Sequence, residues 1–182
     1  MTKTFLSLLL LSATLFSADK GQWLLGLDIG SNGTNITQND SSVSDDKRTT
    51  AYGAKIGFQE ETARVFLGYN HVDEIKGSDF TLSSDNVYVQ LDGFSSDFTI
   101  IGGIDARVFL GGHIGLFIPT LVNTAGTDVG KNSFMGGAQG GLIFLMPADM
   151  EFELAYRHMW TTQENDISIN AGNAYAALNI KF

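Results

Sequence analysis

The stretch that decides the fold is NAYAALNIKF, residues 173–182. Its even-numbered positions from Ala174 to Phe182 are all apolar, whereas Asn179 and Lys181 fall on odd positions. A period of two predicts a β-strand, because successive side chains of a strand point to opposite faces. One face of this strand is therefore apolar up to Phe182, and something must bury that face.

The same alternation recurs along the chain. Together with the quoted stretch, seven further segments predict eight strands: 23–29, 51–58, 64–70, 98–107, 113–119, 134–144 and 151–160. The predicted connections 59–62, 108–112 and 146–149 are short, and 31–48, 73–97, 123–132 and 161–169 are longer. Short turns at one end and long loops at the other are typical of outer-membrane barrels.

Residues 86–93, NVYVQLDG, alternate as well. Counting them gives nine strands, an odd number that cannot place both termini on the same side of a membrane. We therefore assign 86–93 to the second long loop, as a hairpin arm that projects beyond the membrane. A ten-stranded barrel with one further strand is the alternative.

The direction of the apolar face separates a membrane barrel from a soluble one, which turns its polar face to water. Aromatic residues lie on the apolar face near predicted strand ends, as in interfacial girdles. The other face combines glycine with charges of both signs, which suits a narrow interior. A closed barrel also pairs every backbone N–H and C=O group that lies in the hydrocarbon core of the membrane. The sequence thus predicts an all-β, closed, antiparallel up-and-down transmembrane β-barrel with its apolar face in lipid.

The beginning of the chain and the composition set further limits. Residues 1–18 have the charged start, apolar run and small-residue end of a signal peptide, which leaves 19–182 for the barrel. No later segment has the roughly 20 apolar residues of a transmembrane helix. The chain has no cysteine, so a thiolate metal site is excluded, and we expect no cofactor. A net charge of -9 argues against nucleic acid as a partner.

Charged residues of the predicted strands fall on the alternate positions whose side chains face the predicted interior; we call the set of alternate positions to which a residue belongs its parity. Buried charges must be paired, so they form either a structural network that plugs the barrel or a possible gate. An eight-stranded barrel has room inside only for side chains, which favours the network. The predicted interior charge network contains Asp28, Lys55, Arg64, Asp105, Arg107, Glu153 and Arg157.

Two other features invite a functional interpretation. His158 has lipid-facing parity, but nucleophilic catalysis needs a hydroxyl within reach of the imidazole. Trp160 follows two positions later and Ser133 has inward parity, so the sequence does not predict an enzyme. The predicted loops carry most of the acidic excess, which suits either a solvated repulsive surface, divalent-cation bridging to lipopolysaccharide or adhesion to a basic host partner.

The end of the chain supplies a resemblance to a known family. Leu178, Ile180 and Phe182 resemble the C-terminal signal by which bacterial outer-membrane proteins are recognised for assembly. With ELAYRH (153–158), the chain resembles the small eight-stranded outer-membrane barrels typified by the membrane domain of OmpA and by OmpX. The resemblance implies a Gram-negative outer membrane with both termini periplasmic, and as partners membrane lipid, lipopolysaccharide and the barrel assembly machinery. These motifs are common to many barrels and identify no substrate.

Three functions follow, in order of preference. The first is a structural or surface-interaction protein that displays acidic extracellular loops and serves adhesion or membrane integrity. The second is a narrow or gated porin-like channel through the charged interior. The third, a lipid-modifying enzyme, would depend on His158.

Overall fold

The computed structural model describes residues 21–38, 41–76, 80–100, 102–123, 126, 130–162 and 167–182. The predicted signal peptide, 1–18, lies outside the described residues. The described chain is strand and turn throughout. Its strands are β1 (Gln22–Gln38), β2 (Ser41–Gln59), β3 (Ala63–Lys76), β4 (Phe80–Phe94), β5 (Phe98–Thr99), β6 (Asp105–Asn123), β7 (Ser133–Met146), β8 (Met150–Thr162) and β9 (Ile167–Lys181).

Eight of these strands form a closed antiparallel barrel. Each strand pairs with its neighbour in the chain, except that β4 pairs with β6, and β1 pairs with β9 to close the wall. The two-residue β5 pairs with β6 alone and lies outside the wall. Backbone hydrogen bonds of 3.1 and 2.9 Å between Trp23 and Phe182 extend the closure to the last residue. The predicted fold and strand number are confirmed, and the ten-stranded alternative is wrong.

The predicted division into strands is wrong in two places that cancel in the count. Residues 86–93 are not a loop hairpin but part of β4, paired with β3 and β6. The predicted turn at 108–112 is the interior of β6, and the real connection precedes it at 95–104, where Gly102 and Gly103 have φ of 92° and 78°. The sequence predicts Gly111 in a turn, yet it is buried in the wall, where a Cβ would collide with the Asp92 side chain.

The predicted long loops 31–48 and 73–97 are also mostly strand. β1 runs to Gln38 and β2 begins at Ser41, so the two strands continue well past the apolar part of their sequence. The polar sequence of these segments predicts loops, but backbone pairing between β1 and β2 carries the residues into the wall. The short connections 60–62 and 147–149 lie where they were predicted, each within one residue.

The two ends of the barrel differ. We call the end with Gly21, Phe182 and the connections 60–62, 95–104 and 147–149 the turn end, and the opposite end the loop end. The loop end carries the connections between β1 and β2, β3 and β4, β6 and β7, and β8 and β9.

The apolar face of the wall points outward. Leu27, Leu110 and Phe134 are 65%, 73% and 64% exposed, whereas Arg64 and Glu153 inside the barrel are both 0% exposed. A soluble barrel has the opposite arrangement, because water would otherwise face a continuous apolar surface. Trp23 and Phe182 lie on this outer face at the turn end and Trp160 toward the loop end, as in the aromatic girdles of membrane barrels. The outer face is therefore built to contact lipid.

Candidate functional site: the charged barrel interior

Two glutamates of β8 organise the interior near the turn end. Glu151 and Glu153 are two positions apart, so both point inward from the same strand. Glu151 Oε1 accepts hydrogen bonds from Arg107 (2.7 Å) and Gln59 (3.1 Å), and it pairs with Lys181 at 2.8 Å. These partners belong to β6, β2 and β9, so this one carboxylate links β8 to three other parts of the wall.

Glu153 lies deeper and has four partners. Lys55 Nζ is 3.1 Å and Arg64 Nη2 is 3.0 Å from its Oε2, and Asn179 donates to the same oxygen at 3.2 Å. Its Oε1 accepts a hydrogen bond from the Tyr175 hydroxyl at 2.7 Å. Both carboxylate oxygens are thus satisfied, which is the condition under which a buried ion pair is tolerated.

Asp92 completes the same network from β4. Its Oδ2 accepts from Arg64 Nε at 2.7 Å and from Gln90 at 2.7 Å, and its Oδ1 accepts from Gln139 at 2.6 Å. Arg64 therefore bridges two carboxylates, Asp92 and Glu153, from opposite sides of the bore. Side chains of β2, β3, β4, β7, β8 and β9 meet at this level of the barrel.

Arg157 occupies the next level toward the loop end. Its guanidinium donates to Gln139 (3.0 Å) and Gln90 (3.3 Å) and lies 4.6 and 4.8 Å from the ring centres of Tyr88 and Tyr175. No carboxylate lies within 4 Å of this guanidinium among the described side chains. Cation–π contacts and amide hydrogen bonds stabilise its charge instead.

Above Arg157 the interior changes character. The buried side chains there form an apolar layer, made of Tyr88, Phe117, Met135, Met159, Ile169 and Ala171. A cavity of about 30 Å³ lies beside this layer, which is room for about two water molecules. Polar atoms without a hydrogen-bond partner in the described chain surround it, including both ring nitrogens of His113. Ordered water would satisfy such atoms.

The structure brings most of the predicted interior charges together. Lys55, Arg64, Arg107 and Glu153 belong to the ion-pair cluster, and Arg157 lies next to it. Asp28 is buried but makes no hydrogen bond within the described chain.

Asp105 does not have the interior position that its parity predicted. It is exposed at the turn end, where its Oδ1 accepts a hydrogen bond from Thr99 at 2.6 Å. It stands at the first position of β6, beyond the end of β4, where β6 pairs with β5 on one side and with β7 on the other, so its side chain is not enclosed by the bore.

Sequence reasoning missed three members of the cluster. Asp92 belongs to the segment NVYVQLDG, which the sequence predicts as a hairpin arm of a loop; with that segment as a wall strand, its parity points Asp92 inward. Glu151 and Lys181 share the parity of Glu153 and Asn179. Their parity alone would have placed both in the predicted interior network.

The remaining candidates lie outside the ion-pair cluster. His158 is exposed on the outer face, with its ring 5.9 Å from that of Trp160. Ser133, by contrast, bonds Thr161 at 2.7 Å on the inner side. His71 lies near the loop end, 2.8 Å from Asp85. Among the described side chains no group of three His, Asp or Glu is placed to hold a metal ion. The described residues also contain no helix long and apolar enough to cross a membrane.

The predicted C-terminal signal lies on the outer face of β9. Leu178, Ile180 and Phe182 are all exposed there, in line with Trp23 of the adjoining strand. Many of the acidic residues predicted in the loops, such as Asp45 and Asp46, have side chains outside the described part of the structure. Asp73 and Glu74 are described, and both lie on β3 near the loop end.

Solved structures share this architecture. Neisserial surface protein A is similar with a TM-score of 0.61 and 16% identity, covering 87% of this chain and 97% of its own. Outer membrane protein H (OprH) of P. aeruginosa gives 0.58 and 20%, with 88% and 99% covered. Outer membrane protein AlkL gives 0.55 and 10%, with 92% and 93% covered. No protein-family model and no curated protein matches the chain.

These similarities confirm the fold that the closed wall and outward apolar face define, the one shared by small eight-stranded outer-membrane β-barrels. At this level of identity they establish the fold, and the function has to be argued from the chain itself.

Proposed function

We propose that this chain is an integral outer-membrane protein with a structural or surface-interaction role, in which the barrel is a closed support for an acidic outer surface. The observation that carries the proposal is the ion-pair cluster. Glu153, Arg64 and Glu151 are each 0% exposed, and their bonds join side chains from across the bore. An interior filled in this way supports a rigid wall rather than an open pore.

The asymmetry of the two ends supports a periplasmic position for both termini. Outer-membrane barrels have short turns at the periplasmic end and longer excursions outside. Here two of the three connections that share an end with Gly21 and Phe182, 60–62 and 147–149, are short turns, and β1 and β2 extend with polar sequence at the other end. The acidic residues near the loop end, including Asp73, Glu74 and Asp85, would then face the outside of the cell.

Single cysteines can test this orientation sharply, because the chain has none of its own. Glu74→Cys places a thiol at the loop end and Glu61→Cys places one at the turn end; both parent side chains are exposed. A membrane-impermeant maleimide should label Glu74→Cys in intact cells, and Glu61→Cys only after the outer membrane is permeabilised. The reverse pattern would refute the proposed orientation. Equal labelling of both in the soluble periplasmic fraction would refute membrane insertion.

The surface-interaction role has its own test. Intact cells expressing the protein should bind a basic probe such as polylysine-coated beads more strongly than cells without it, and binding should fall with salt because exposed charges are screened. The matched variant replaces Glu74 and Asp73 by Gln and Asn. If binding is unchanged in that variant and in high salt, the role of the acidic surface is wrong.

Partners in the membrane follow from the outer face. Leu178, Ile180 and Phe182 lie on the exposed outer face of the last strand, where we propose contact with the assembly machinery during insertion and with lipid afterwards. Lipopolysaccharide would meet the acidic loop end through bridging divalent cations, so chelation should weaken its retention by the purified protein.

A narrow or gated channel is the second candidate, favoured by the charges of both signs along the bore. It requires single-channel conductance of the refolded wild-type protein in planar bilayers, changed when Glu153 or Arg107 is neutralised. A wild-type protein that is silent in bilayers would exclude it.

A lipid-modifying activity would require that lipid A change mass in an expressing strain and stay unchanged with His158→Ala.

A further inference from the structure

The lipid-facing band of the wall differs in height from one side of the barrel to the other. On the β2–β3 hairpin the outward positions are apolar over 52–58 and 63–69, seven residues on each strand. On β6 and β7, on the far side of the wall, they are apolar or glycine over 106–118 and 134–146, thirteen residues on each strand. A membrane-spanning strand needs about 9 to 11 residues, so one side is too short and the other too long for a bilayer of uniform thickness.

Strand geometry converts these lengths into heights. At about 3.3 Å per residue and a tilt of about 40°, seven residues rise about 15 Å along the membrane normal and thirteen rise about 30 Å. The apolar band of outer-membrane barrels is about 25 Å tall. The band on the β2–β3 hairpin therefore falls short of that height by about 10 Å, whereas the band on β6 and β7 exceeds it.

Polar side chains limit the short band at both ends. At the loop end the next outward residues are Thr50 on β2 and His71 on β3, followed by Asp73. At the turn end, the 60–62 connection contains Glu60 and the exposed Glu61. A tilt of the barrel moves both ends of one side in the same direction, so tilt does not bring both polar ends into water.

Aromatic side chains mark the membrane interface at each end of the short band. The Tyr69 hydroxyl donates a hydrogen bond to Asp85 at 2.5 Å, and the Tyr52 ring centre lies 5.1 Å from that of His71. Both tyrosines thus combine an apolar ring with a polar contact, as tyrosines at a membrane–water interface do. At the turn end Phe58 closes the band on β2, six positions from Tyr52, which is about 15 Å along the membrane normal.

We propose that the β2–β3 hairpin contacts a locally thinned bilayer, in which the headgroups of the two leaflets approach each other, and that the membrane regains its full thickness toward β6 and β7. Lipid is the occupant of this face because the short band continues into the lipid-facing wall on both sides, at Leu27 of β1 and Leu91 of β4. A bilayer thins around a short apolar stretch at a small cost per ångström, whereas a charged group such as Glu61 or Asp73 is expensive in hydrocarbon. The inference rests on the membrane insertion that the proposed function requires.

Spin labels on single cysteines test this proposal, since the chain has no cysteine of its own. Thr50→Cys and Glu61→Cys place labels just beyond the two ends of the short band, and Leu116→Cys on β6 and Met146→Cys on β7 are the matched positions. Thr50 and Leu116 lie nine and eleven positions from the turn-end limits of β2 and β6, so their labels stand at similar distances along the strands. The refolded full-length barrel is reconstituted in vesicles of dierucoyl phosphatidylcholine, whose long chains form a thick bilayer.

Two relaxation reagents report what each label contacts. Oxygen concentrates in hydrocarbon and a polar nickel complex in water. We expect the Leu116 and Met146 labels to collide mainly with oxygen and the Thr50 and Glu61 labels mainly with nickel. The ratio of the two collision rates should differ at least about tenfold between the pairs, because a polar solute is strongly excluded from hydrocarbon.

Three results would overturn the proposal. Oxygen-dominated labels at all four positions would mean that the bilayer keeps its thickness and covers the polar ends of the hairpin. Labels at Thr50 and Glu61 that are shielded from both reagents would mean that a second copy of the chain covers this face. Nickel-dominated labels at all four positions would mean that the barrel is not inserted, and this result alone would refute the proposed function as well.

Discussion

Replacing Glu153 by Gln tests whether the interior cluster stabilises the barrel. The change keeps the size of the side chain but removes the carboxylate that pairs with Lys55 at 3.1 Å and Arg64 at 3.0 Å. Arg64 retains Asp92, whereas Lys55 keeps no carboxylate within 4 Å among the described side chains. Leaving one buried charge unpaired costs about 3 to 5 kcal/mol, so we expect the free energy of unfolding to fall by that amount.

Urea unfolding of the barrel in lipid vesicles, followed by the fluorescence of Trp23 and Trp160, measures this change. The double variant Glu153→Gln/Lys55→Met removes both charges and should recover most of the loss, because the penalty comes from the unpaired ammonium rather than from the missing bond. Asp105→Asn is the matched control at an exposed carboxylate and should stay within about 0.5 kcal/mol of wild type.

Two results would show that this reasoning is wrong. A loss below about 1 kcal/mol in Glu153→Gln would mean that water reaches Lys55 and solvates it, as at a surface pair. A double variant no more stable than the single variant would mean that Lys55 is stabilised by its contacts with the Phe66 and Tyr175 rings instead of by Glu153.

Three further predictions concern the wall. Gly111→Val should prevent the shift in gel mobility between unboiled and boiled samples that marks a folded barrel, because any Cβ at this position collides with Asp92 and the β4 backbone. Ile114→Lys puts a charge in the middle of the outer apolar face and should lower the free energy of unfolding by about 2 to 4 kcal/mol in vesicle titrations. Deleting Phe182 removes both of its backbone hydrogen bonds to Trp23, so the amount of barrel in outer-membrane fractions should fall while expression is unchanged. If the truncated protein reaches those fractions in the same amount as wild type, Phe182 has no role in closure.

The predicted number of strands is correct, but one of the predicted turns is in the wrong place. Glycine pairs occur at 102–103 and 111–112, and the sequence offers no local reason to prefer one as the turn. The structure uses the first pair, with positive φ at both residues, and buries Gly111 against Asp92 of β4. The preference comes from the partner strand, whose residues lie about 20 positions earlier in the chain.

The sequence by itself determined the face of the wall to which each side chain belongs, because this depends only on parity, that is, on whether its position in the alternation is odd or even. Alternation is a local property of a strand, so it assigned Lys55, Arg64 and Glu153 to one face and Leu178, Ile180 and Phe182 to the other without knowledge of any partner. The orientation of those faces followed from the composition of each, since aromatic and aliphatic residues on one side and paired charges on the other fit lipid outside.

Which residues meet was decided by the tertiary structure alone. Glu153 bonds Arg64, 89 positions away, and Lys55, 98 positions away, because closure and the stagger of the strands bring β2, β3 and β8 to one level of the bore. Asp105 has the same parity as these residues but lies outside the cluster, since β6 there extends past the end of β4 and the side chain is exposed. Parity fixes the side to which a residue points, whereas its partners depend on register between strands that are distant in sequence, and that register exists only in the closed barrel.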